Sequence, residues 1–332
     1  MSPERPTGGA HTGAPRVLID CDTGIDDALA LAYALGSEDA ELIGVTCTYG
    51  NVTVEQSVRN TLALLELFGR TDVPVFAGPD HARAKDSFAV QEISAFIHGT
   101  NGIGEVDIPD AARGVEETSA VDLLVESVRA HGDDLVIVPT GPSTTIAAAI
   151  EASNVFRENA QIVMMGGALA VPGNVNAWTE ANINQDPEAT DLMFRSLRDV
   201  TMIGLDVTLQ TLLTRKETAQ WEALGTRGGD FLAAATNYYI NAYKTTSPHL
   251  GGCGLHDPLA VAVALDPSLV DTLGINMKVD TEGPTRGRTI GDETRLNDPD
   301  KHAAVAVRVD TARFLEEFMH RLTTLASATA VV

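Results

Sequence analysis

Residues 16–27 read Arg16-Val17-Leu18-Ile19-Asp20-Cys21-Asp22-Thr23-Gly24-Ile25-Asp26-Asp27. The apolar run at 17–19 predicts a buried β-strand, and the Ala- and Leu-rich segment Ile25–Leu35 predicts a helix directly after it. A strand that passes into a helix through a short loop is the first half of a βαβ unit, which indicates an α/β fold. The same loop carries four aspartates, so it is also the first place to look for function.

The alternation of strand and helix continues along the chain. The predicted strands are Arg16–Asp20, Leu42–Cys47, Val73–Phe76, Leu135–Val138, Gln161–Met165, Val200–Leu205, Ile275–Val279 and Val305–Val309. The predicted helices are Ile25–Leu35, Val54–Phe68, Val121–Arg129, Ile146–Ala152, Glu188–Leu197, Lys216–Leu224, Phe231–Tyr243, Pro258–Leu265 and Thr311–Leu325. Because such strands pair in parallel through right-handed crossovers, we expect a mostly parallel, Rossmann-like central sheet with helices on both faces, plus helical insertions near the C-terminus.

Composition narrows the class of protein. The chain has 332 residues and a formal net charge of -23, which disfavours binding to nucleic acid because the surface repels phosphate backbones. No stretch approaches the ~20 apolar residues of a membrane span, so we expect no membrane partner. Three cysteines with no metal-type spacing favour a reducing, cytoplasmic location. Residues 1–14 are predicted to be a disordered leader, and residues 15–328 a single domain without an internal linker.

Polar residues collect where the predicted strands end. The first strand runs into the aspartate loop, the second into Gly50-Asn51, the strand at 135–138 into Thr140-Gly141, and the strand at 161–165 into Gly166-Gly167. Ligands of open α/β sheets bind outside the carboxyl ends of the strands. We therefore expect these strand ends to meet in one crevice.

The aspartate loop has two explanations. Asp26 and Asp27 fit the first turn of a helix, where the positive end of the helix dipole favours acidic side chains. Several carboxylates at one buried edge are also costly unless a cation neutralises them. Oxygen ligands suit Ca²⁺ or Mg²⁺ better than zinc, since no Cys/His cluster is nearby.

Two further segments are candidates. His256-Asp257-Pro258 opens a predicted helix after a predicted Gly-rich loop at 251–254, although Asp-Pro by itself is a common helix start. The segment from Gly173 to Asn182 is rich in amides and contains Glu180, so it is either a surface loop or a set of partners for sugar hydroxyls.

Taken together, these motifs resemble the inosine–uridine-preferring nucleoside hydrolase family. The family pattern Asp-x-Asp-x-Gly-x-Asp-Asp stands here at residues 20–27, with Thr23 where the family usually has Pro. The resemblance covers nearly the whole chain after the leader, through motifs that follow in order: Gly50-Asn51, Val138-Pro139-Thr140-Gly141, Met164-Met165-Gly166-Gly167, Glu180-Ala181-Asn182, Gly204-Leu205-Asp206 and His256-Asp257-Pro258.

The resemblance implies Ca²⁺-dependent hydrolysis of the N-glycosidic bond of a ribonucleoside, with release of free base and ribose. It implies that Asp22, Asp27, Asp257 and the Thr140 carbonyl hold the calcium ion, that Asp22 also acts as the base, and that Asp20 supports the loop. Ribose would be bound by Asp26, Asn51, Met165, Asn174, Glu180 and Asn182, and His256 would donate a proton to the leaving base. Relatives form dimers or tetramers, so a homodimer or homotetramer is expected.

The sequence does not predict which base is preferred. Candidates for contact with the base are His98, Phe96, Trp178, Tyr239 and Tyr243, each of which is also explained by ordinary packing. If His256 only packs or caps its helix, Tyr239 and Tyr243 are the next candidates for the acid.

Two rival functions are considered. In a haloacid-dehalogenase-type phosphatase, Asp20 would be the nucleophile and Asp22 the acid/base on Mg²⁺, but Asp133-Asp134 precedes its strand instead of following it. In a nucleoside-binding protein without turnover, the complete acidic set and His256 would have no purpose.

Overall fold

The computed structural model describes residues 14–332. Within that range the strands are β1 (Arg16–Cys21), β2 (Glu41–Cys47), β3 (Val75–Ala77), β4 (Leu135–Pro139), β5 (Gln161–Met165), β6 (Asp199–Ile203), β7 (Leu212–Leu213), β8 (Cys253–Gly254), β9 (Val270–Ile275), β10 (Met277–Val279), β11 (Thr289–Gly291) and β12 (Ala303–Val309). Eight of these strands form one sheet in the order β3-β2-β1-β4-β5-β6-β12-β9.

The helices lie between the strands and after them. They are α1 (Ile25–Leu35), α2 (Val54–Leu67), α3 (Glu92–His98), α4 (Ala120–His131), α5 (Thr144–Ala152), α6 (Asn154–Asn159), α7 (Ala181–Gln185), α8 (Pro187–Ser196), α9 (Leu205–Thr208), α10 (Arg215–Glu222), α11 (Arg227–Thr246), α12 (His256–Leu265) and α13 (Thr311–Ser327).

All neighbouring strands of the large sheet are parallel except β12 and β9. The chain order reverses at β1, because Asp20 lies opposite Thr46 of β2 on one side and opposite Pro139 of β4 on the other. Such a reversal opens a crevice at the carboxyl ends of the strands. The prediction of a mostly parallel sheet is confirmed, and the crevice is where the aspartate loop lies.

Helices cover both faces of the sheet, as predicted. Alternate residues of a strand point to opposite faces. Val17 and Ile19 accordingly belong to a core shared with α1, α12 and α13, whereas Leu18 belongs to a second core shared with α4, α5 and α8. Every residue of α1 is buried, and this helix packs against α11, α12 and α13.

The C-terminal strands differ most from the prediction. The predicted strand Val200–Leu205 ends at Ile203, where Gly204 caps α9. The predicted strand Ile275–Val279 is interrupted at Asn276, whose side-chain amide donates to the carbonyls of Arg295 and Asp300 at 3.3 and 2.9 Å. The side chain thus holds the chain away from a continuous strand, and β9 and β10 join different sheets.

Three other expectations have different outcomes. The Gly-rich stretch 251–254 was expected to be a loop, but Cys253–Gly254 pairs with Leu212–Leu213 as β8 and β7. The predicted disordered leader falls on residues outside the described range, apart from Ala14. Between residues 14 and 332, no helix has both the length and the apolar character needed to cross a membrane.

Candidate active site

The loop between β1 and α1 places two of the aspartates in the first turn of a helix. Gly24 caps α1, and its backbone N–H donates to Asp27 Oδ2 at 2.8 Å. Asp26 and Asp27 therefore lie at the positive end of the helix dipole, which favours their charged forms. Placement in the first helical turn thus explains Asp26 and Asp27 structurally, and it leaves open that the same two side chains bind a cation.

Two glycines allow the surrounding loops to approach this turn closely. A Cβ atom on Gly24 would lie 2.6 Å from both Asn51 Nδ2 and His98 Nδ1. A Cβ atom on Gly50, whose φ is 153°, would collide with the carboxylate of Asp22. The loop after β1, the loop after β2 and the end of α3 consequently meet in direct contact.

Asp20 and Thr23 anchor the aspartate loop to neighbouring elements. The Thr46 hydroxyl donates to Asp20 Oδ1 at 2.7 Å, and burial raises the pKa of Asp20 to about 7. The Thr23 hydroxyl lies 2.9 Å from that of Ser57 and 2.8 Å from that of Thr61, both on α2. Thr23, the departure from the family pattern, is thus held by hydroxyl contacts that proline could not make.

Asp257 brings a further carboxylate to the loop from the first turn of α12. Asp26, Asp27 and Asp257 each offer an oxygen within 4.8 Å of the others, and all three residues are buried. Burial raises the pKa of all three, to about 6 for Asp27 and well above the usual range for Asp257, and the charge of Asp26 adds to the effect on the other two. A cation would relieve this crowding, so the three carboxylates could hold a metal ion.

Asp22 adjoins the three carboxylates and is held by Asn51. The backbone N–H of Asn51 donates to Asp22 Oδ2 at 2.6 Å, and its side-chain amide lies 3.2 Å from Asp22 Oδ1 and 3.3 Å from Asp27 Oδ2. Burial, followed by the charge of Asp27, raises the pKa of Asp22 well above its ordinary value. Asp22 is therefore part of the same buried set. The three aspartates whose oxygens lie closest together are, however, Asp26, Asp27 and Asp257, whereas the resemblance implied Asp22, Asp27 and Asp257.

Thr140 connects this cluster to the loop after β5. Its hydroxyl donates to Asp27 Oδ1 at 2.7 Å, and its carbonyl accepts from Asn182 Nδ2 at 2.7 Å. A carbonyl oxygen has two lone pairs. The Thr140 carbonyl thus retains one acceptor position beside the carboxylates.

Glu180, Asn182 and Met165 lie on the far side of Thr140. Asn182 Nδ2 also approaches the Met165 carbonyl at 3.2 Å and its sulfur at 3.4 Å. Glu180 caps α7 and accepts from the backbone N–H groups of Gly167, Asn182 and Ile183 at 3.0, 2.9 and 3.2 Å. Burial raises the pKa of Glu180 while these N–H groups oppose the rise. The result is a carboxylate and an amide held rigidly beside the aspartates.

Asn174 lies further out, on the exposed loop that precedes α7. Its side-chain oxygen accepts from the backbone N–H of Ala181 at 3.0 Å. This contact ties the exposed loop to the residue between Glu180 and Asn182, so Asn174 stands beside these two residues.

Two aromatic residues, Tyr239 and His98, lie next to Asp26. The Tyr239 hydroxyl donates to Asp26 Oδ2 at 3.0 Å, and the ring of Tyr239 lies 5.4 Å from that of His98. Asp26 Oδ1 is buried and, within residues 14–332, has no hydrogen-bond partner. One oxygen of Asp26 is therefore left for a ligand.

His98 comes from α3, a helix that the sequence did not predict. Its Nδ1 accepts the backbone N–H of Ile25 at 3.1 Å and lies 3.7 Å from Asp26 Oδ1. Burial lowers the pKa of His98 to about 4. His98 is therefore neutral near pH 7 and carries its hydrogen on Nε2, because Nδ1 is already an acceptor.

His256, next to Asp257, is bonded at both ring nitrogens. Nε2 lies 2.6 Å from the Tyr243 hydroxyl, and Nδ1 lies 2.8 Å from the Thr208 hydroxyl. Burial lowers the pKa of His256. The Tyr243 ring is packed edge-on against Tyr239, with centroids 4.9 Å apart. Tyr239, Tyr243, His98 and His256 thus form one group.

The other two aromatic candidates lie on the surface. Phe96 is 46% exposed and Trp178 is 43% exposed. The guanidinium of Arg288 lies 5.2 Å above the Trp178 ring. The structure does not bring either residue into the cluster around Asp26.

A small cavity adjoins the aromatic group. It has a volume of about 130 Å³ and is lined by Ile240, Tyr243, Lys244, Ser247, Pro248, Gly251 and Gly252. A larger groove of about 470 Å³ lies around β10 and β11, lined by Ile275, Lys278, Asp280, Ile290, Gly291, Glu293 and Leu296, none of which belongs to the aspartate cluster. The groove around β10 and β11 is thus larger than the cavity beside Tyr243, but it lies apart from the carboxylates with raised pKa values.

Thr208 is the site residue that sequence reasoning missed. It follows the motif Gly204-Leu205-Asp206 in α9, directly after β6. The rule that ligands lie beyond the carboxyl ends of parallel strands could have found it, but the predicted strand extended through Leu205 and concealed the helix.

Known proteins resemble this chain over most of its length. Residues 17–316 match the family described as "Inosine-uridine preferring nucleoside hydrolase". The chain is 35% identical to a probable uridine nucleosidase 2 of Arabidopsis thaliana, covering 92% of this chain and 97% of the relative. It is 33% identical to a pyrimidine-specific ribonucleoside hydrolase of Escherichia fergusonii, with the same coverage.

A solved structure is more similar still. The purine-preferring ribonucleoside hydrolase from Gardnerella vaginalis is 63% identical, covers 94% of this chain and 99% of its own, and superposes with a TM-score of 0.93. Neither the phosphatase nor the binding protein without turnover is favoured by these likenesses, since the relatives are named as hydrolases of nucleosides. The chain belongs to the inosine-uridine preferring nucleoside hydrolase family and is an enzyme that hydrolyses the N-glycosidic bond of nucleosides.

Proposed function

We propose that the enzyme is a calcium-dependent hydrolase of purine ribonucleosides, which it splits into free base and ribose. The observation that carries this proposal is the buried set of Asp22, Asp26, Asp27 and Asp257, in which Asp26 keeps one oxygen without a partner. Preference for purines is supported by the 63% identity to a purine-preferring enzyme, against 33–35% for relatives named for uridine and pyrimidines.

The cation would be held by the carboxylates of Asp22, Asp27 and Asp257 and by the Thr140 carbonyl. All four are hard oxygen donors, which suit Ca²⁺, and their number leaves room for water and for two ribose hydroxyls in its 6–8 positions. A bound divalent cation would make water acidic enough to attack at neutral pH. The raised pKa values of the three carboxylates support the assignment, since burial and mutual repulsion disfavour their charged forms when no cation is bound.

Ribose would lie between the aspartates and the loop after β5. Asp26 and Asn51 would bind it from one side, and Asn174, Glu180 and Asn182 from the other, with Met165 against the sugar. Cleavage of the C1′–N bond leaves positive charge on the sugar, as in glycoside hydrolysis, and these carboxylate and amide oxygens stabilise that charge. Asp22 takes the proton from the attacking water, since its carboxylate adjoins the cluster and is held in place by Asn51.

The leaving base would lie against His98, Tyr239 and Tyr243. His256 is assigned as the donor that stabilises the negative charge of the departing base, acting through Tyr243 because that hydroxyl lies 2.6 Å from its Nε2. His98 presents a fixed N–H donor at Nε2 for an acceptor atom of the base, because Ile25 occupies its Nδ1.

We further propose a cytoplasmic homodimer or homotetramer in which residues 15–328 form one domain. The sparse cysteines support the location. The exposed apolar side chains of Leu273 on the edge strand β9 and Val307 on β12 support association.

The test is release of ribose, measured as reducing sugar, from a panel of inosine, guanosine, adenosine, uridine and cytidine. We expect the highest kcat/KM with purine ribonucleosides, loss of activity after exhaustive chelation, and recovery with Ca²⁺. Asp257→Asn should abolish the recovery, whereas Asp271→Asn, on the distant edge strand, should not. Full activity of protein shown by elemental analysis to be metal-free would refute the calcium site, and higher kcat/KM for uridine would refute the purine preference.

A further inference from the structure

Thr208 lies under the group proposed to act on the leaving base, yet it touches neither the aspartates nor the sugar-binding residues. It is the last residue of α9 and is fully buried. Its hydroxyl lies 2.8 Å from His256 Nδ1. Within residues 14–332 this is the one hydrogen bond of the Thr208 side chain, since Thr211 binds the Thr208 backbone carbonyl instead.

The hydrogen on that hydroxyl decides the tautomer of His256. If His256 carried its hydrogen on Nδ1, the ring would donate to Thr208, and the hydroxyl hydrogen of Thr208 would have no acceptor in a fully buried place. An unsatisfied buried donor costs about 1–3 kcal/mol. If Thr208 donates to Nδ1 instead, both groups are satisfied, and the hydrogen of the neutral ring must be on Nε2.

The contact at Nε2 is compatible with either direction. A hydroxyl such as that of Tyr243 can donate to Nε2 or accept from it, so this bond of 2.6 Å alone does not select a tautomer. With the hydrogen on Nε2, Tyr243 accepts from His256, and its own hydrogen can point toward the Tyr239 hydroxyl or toward a ligand. A hydroxyl that accepts a hydrogen bond becomes a stronger donor.

We propose that Thr208 is a positioning residue that holds His256 in the Nε2–H tautomer, with the ring hydrogen facing Tyr243. The proposal rests on the proposed function, in which His256 and Tyr243 assist departure of the base. Thr208 contacts no reacting atom and acts through the ring of His256. Its effect should therefore appear when the leaving base needs a hydrogen-bond donor, and should be small when the leaving group departs as a stable anion.

The kinetic experiment compares Thr208→Val, Thr208→Ser and a matched control. Valine has nearly the shape of threonine but leaves Nδ1 unpaired, so kcat with inosine should fall by about 10- to 100-fold. On p-nitrophenyl riboside the same variant should stay within about twofold of wild type. Thr208→Ser, which restores the hydroxyl, should recover most of the activity on inosine. Thr218→Val is the control, because it removes another buried hydroxyl with a bond of 2.8 Å, to Asn237.

The second measurement is ¹⁵N NMR of the enzyme labelled at histidine, with the His256 signals assigned by their loss in His256→Ala. We expect the Nε2–H tautomer in the wild-type protein, and a population of the Nδ1–H tautomer in Thr208→Val. The Nδ1–H tautomer in wild type would overturn the proposal, as would equal losses on the two substrates or failure of serine to restore activity. If wild type released no ribose from any nucleoside, the proposed function would fail, while the NMR result would still decide the tautomer.

Discussion

At the proposed sugar end of the site, most side chains lie in loops that follow strands of the parallel sheet or in the first turn of the helix after such a loop, whereas those at the proposed base end lie on helices. The proposed sugar end comprises Asp22, Asp26, Asp27, Asn51, Thr140, Glu180 and Asn182, which follow β1, β2, β4 and β5, together with Asp257 on α12. The base end comprises His98, Tyr239, Tyr243 and His256, which lie on α3, α11 and α12. Strand ends are fixed by backbone pairing, whereas the position of a helix depends on its side-chain packing. The residues around the base can therefore differ between relatives while those around the sugar keep their positions.

This difference agrees with the relatives. Proteins of the same family carry names that refer to uridine, to pyrimidines and to purines, yet all are nucleoside hydrolases. We infer that the shared chemistry belongs to the sugar end and that the choice of base belongs to the helices.

The largest effect should come from removing a sugar hydroxyl. Without the 2′-hydroxyl, the buried oxygens and amides of the sugar end would remain unpaired, and sites of this type reject such analogues by up to ~10⁴–10⁵-fold. We expect kcat/KM for 2′-deoxyinosine to fall by that order relative to inosine, and changes among purine bases to cost much less. Similar kcat/KM values for the two substrates, measured at saturating Ca²⁺, would contradict the division between the two ends.

The sequence predicts the proposed sugar end of the site better than the proposed base end. The strand-end residues are brought together by the sequence pattern alone, because parallel strands have their carboxyl ends at one edge of the sheet. α1 was predicted with the bounds that it has, since a buried strand and an apolar helix surround one short loop. Nothing in the sequence placed the Tyr239 hydroxyl against Asp26, because that contact joins residues 213 positions apart.

The errors in the prediction also have physical causes. α11 begins at Arg227, four residues before the predicted start, because Thr226 caps it and Gly228-Gly229 concealed the helical pattern. α3 was not predicted, since a helix of only seven residues within a long polar section is too short for its apolar spacing, Ile93, Phe96 and Ile97, to stand out. His98 was therefore predicted as a candidate for contact with the base, but the helix on which it lies was not.

A smaller effect should distinguish the base end from the sugar end. His256→Ala should lower kcat with inosine by about the ~10²–10⁴-fold typical of a positioned acid, because the departing base loses its donor. It should change kcat with p-nitrophenyl riboside little, because that leaving group is a stable anion. His320→Ala, an exposed histidine on α13, is the control. Equal losses on both substrates would indicate that His256 only positions Asp257, and would leave Tyr239 or Tyr243 as donor to the base without assistance from His256.

The smallest effect should be on stability, where the two ends respond to pH in opposite directions. In the metal-free protein, burial raises the pKa of Asp27 to about 6 and of Asp20 to about 7, and lowers the pKa of His98 to about 4. The carboxylates bind more protons in the folded protein than in the unfolded chain, so their contribution to the free energy of unfolding falls as pH rises. His98 binds fewer protons in the folded protein, so its contribution rises with pH and levels off above its unfolded pKa of about 6.5.

Above pH 6.5 the contribution of the histidine levels off, so between pH 6.5 and 8 the buried carboxylates have the larger effect. Asp20, whose pKa burial raises to about 7, titrates in this interval, and burial raises the pKa of Asp22 and Asp257 in the same direction. Chelated protein should therefore melt lower at pH 8 than at pH 6.5, by on the order of a few °C, and saturating Ca²⁺ should remove this fall because it binds the ionised carboxylates. Asp257→Asn should make the fall in the chelated protein smaller, since one buried charge is gone. A melting temperature of the chelated protein that stays constant or rises over this interval would mean that the four aspartates are not crowded in solution as they are in the structure.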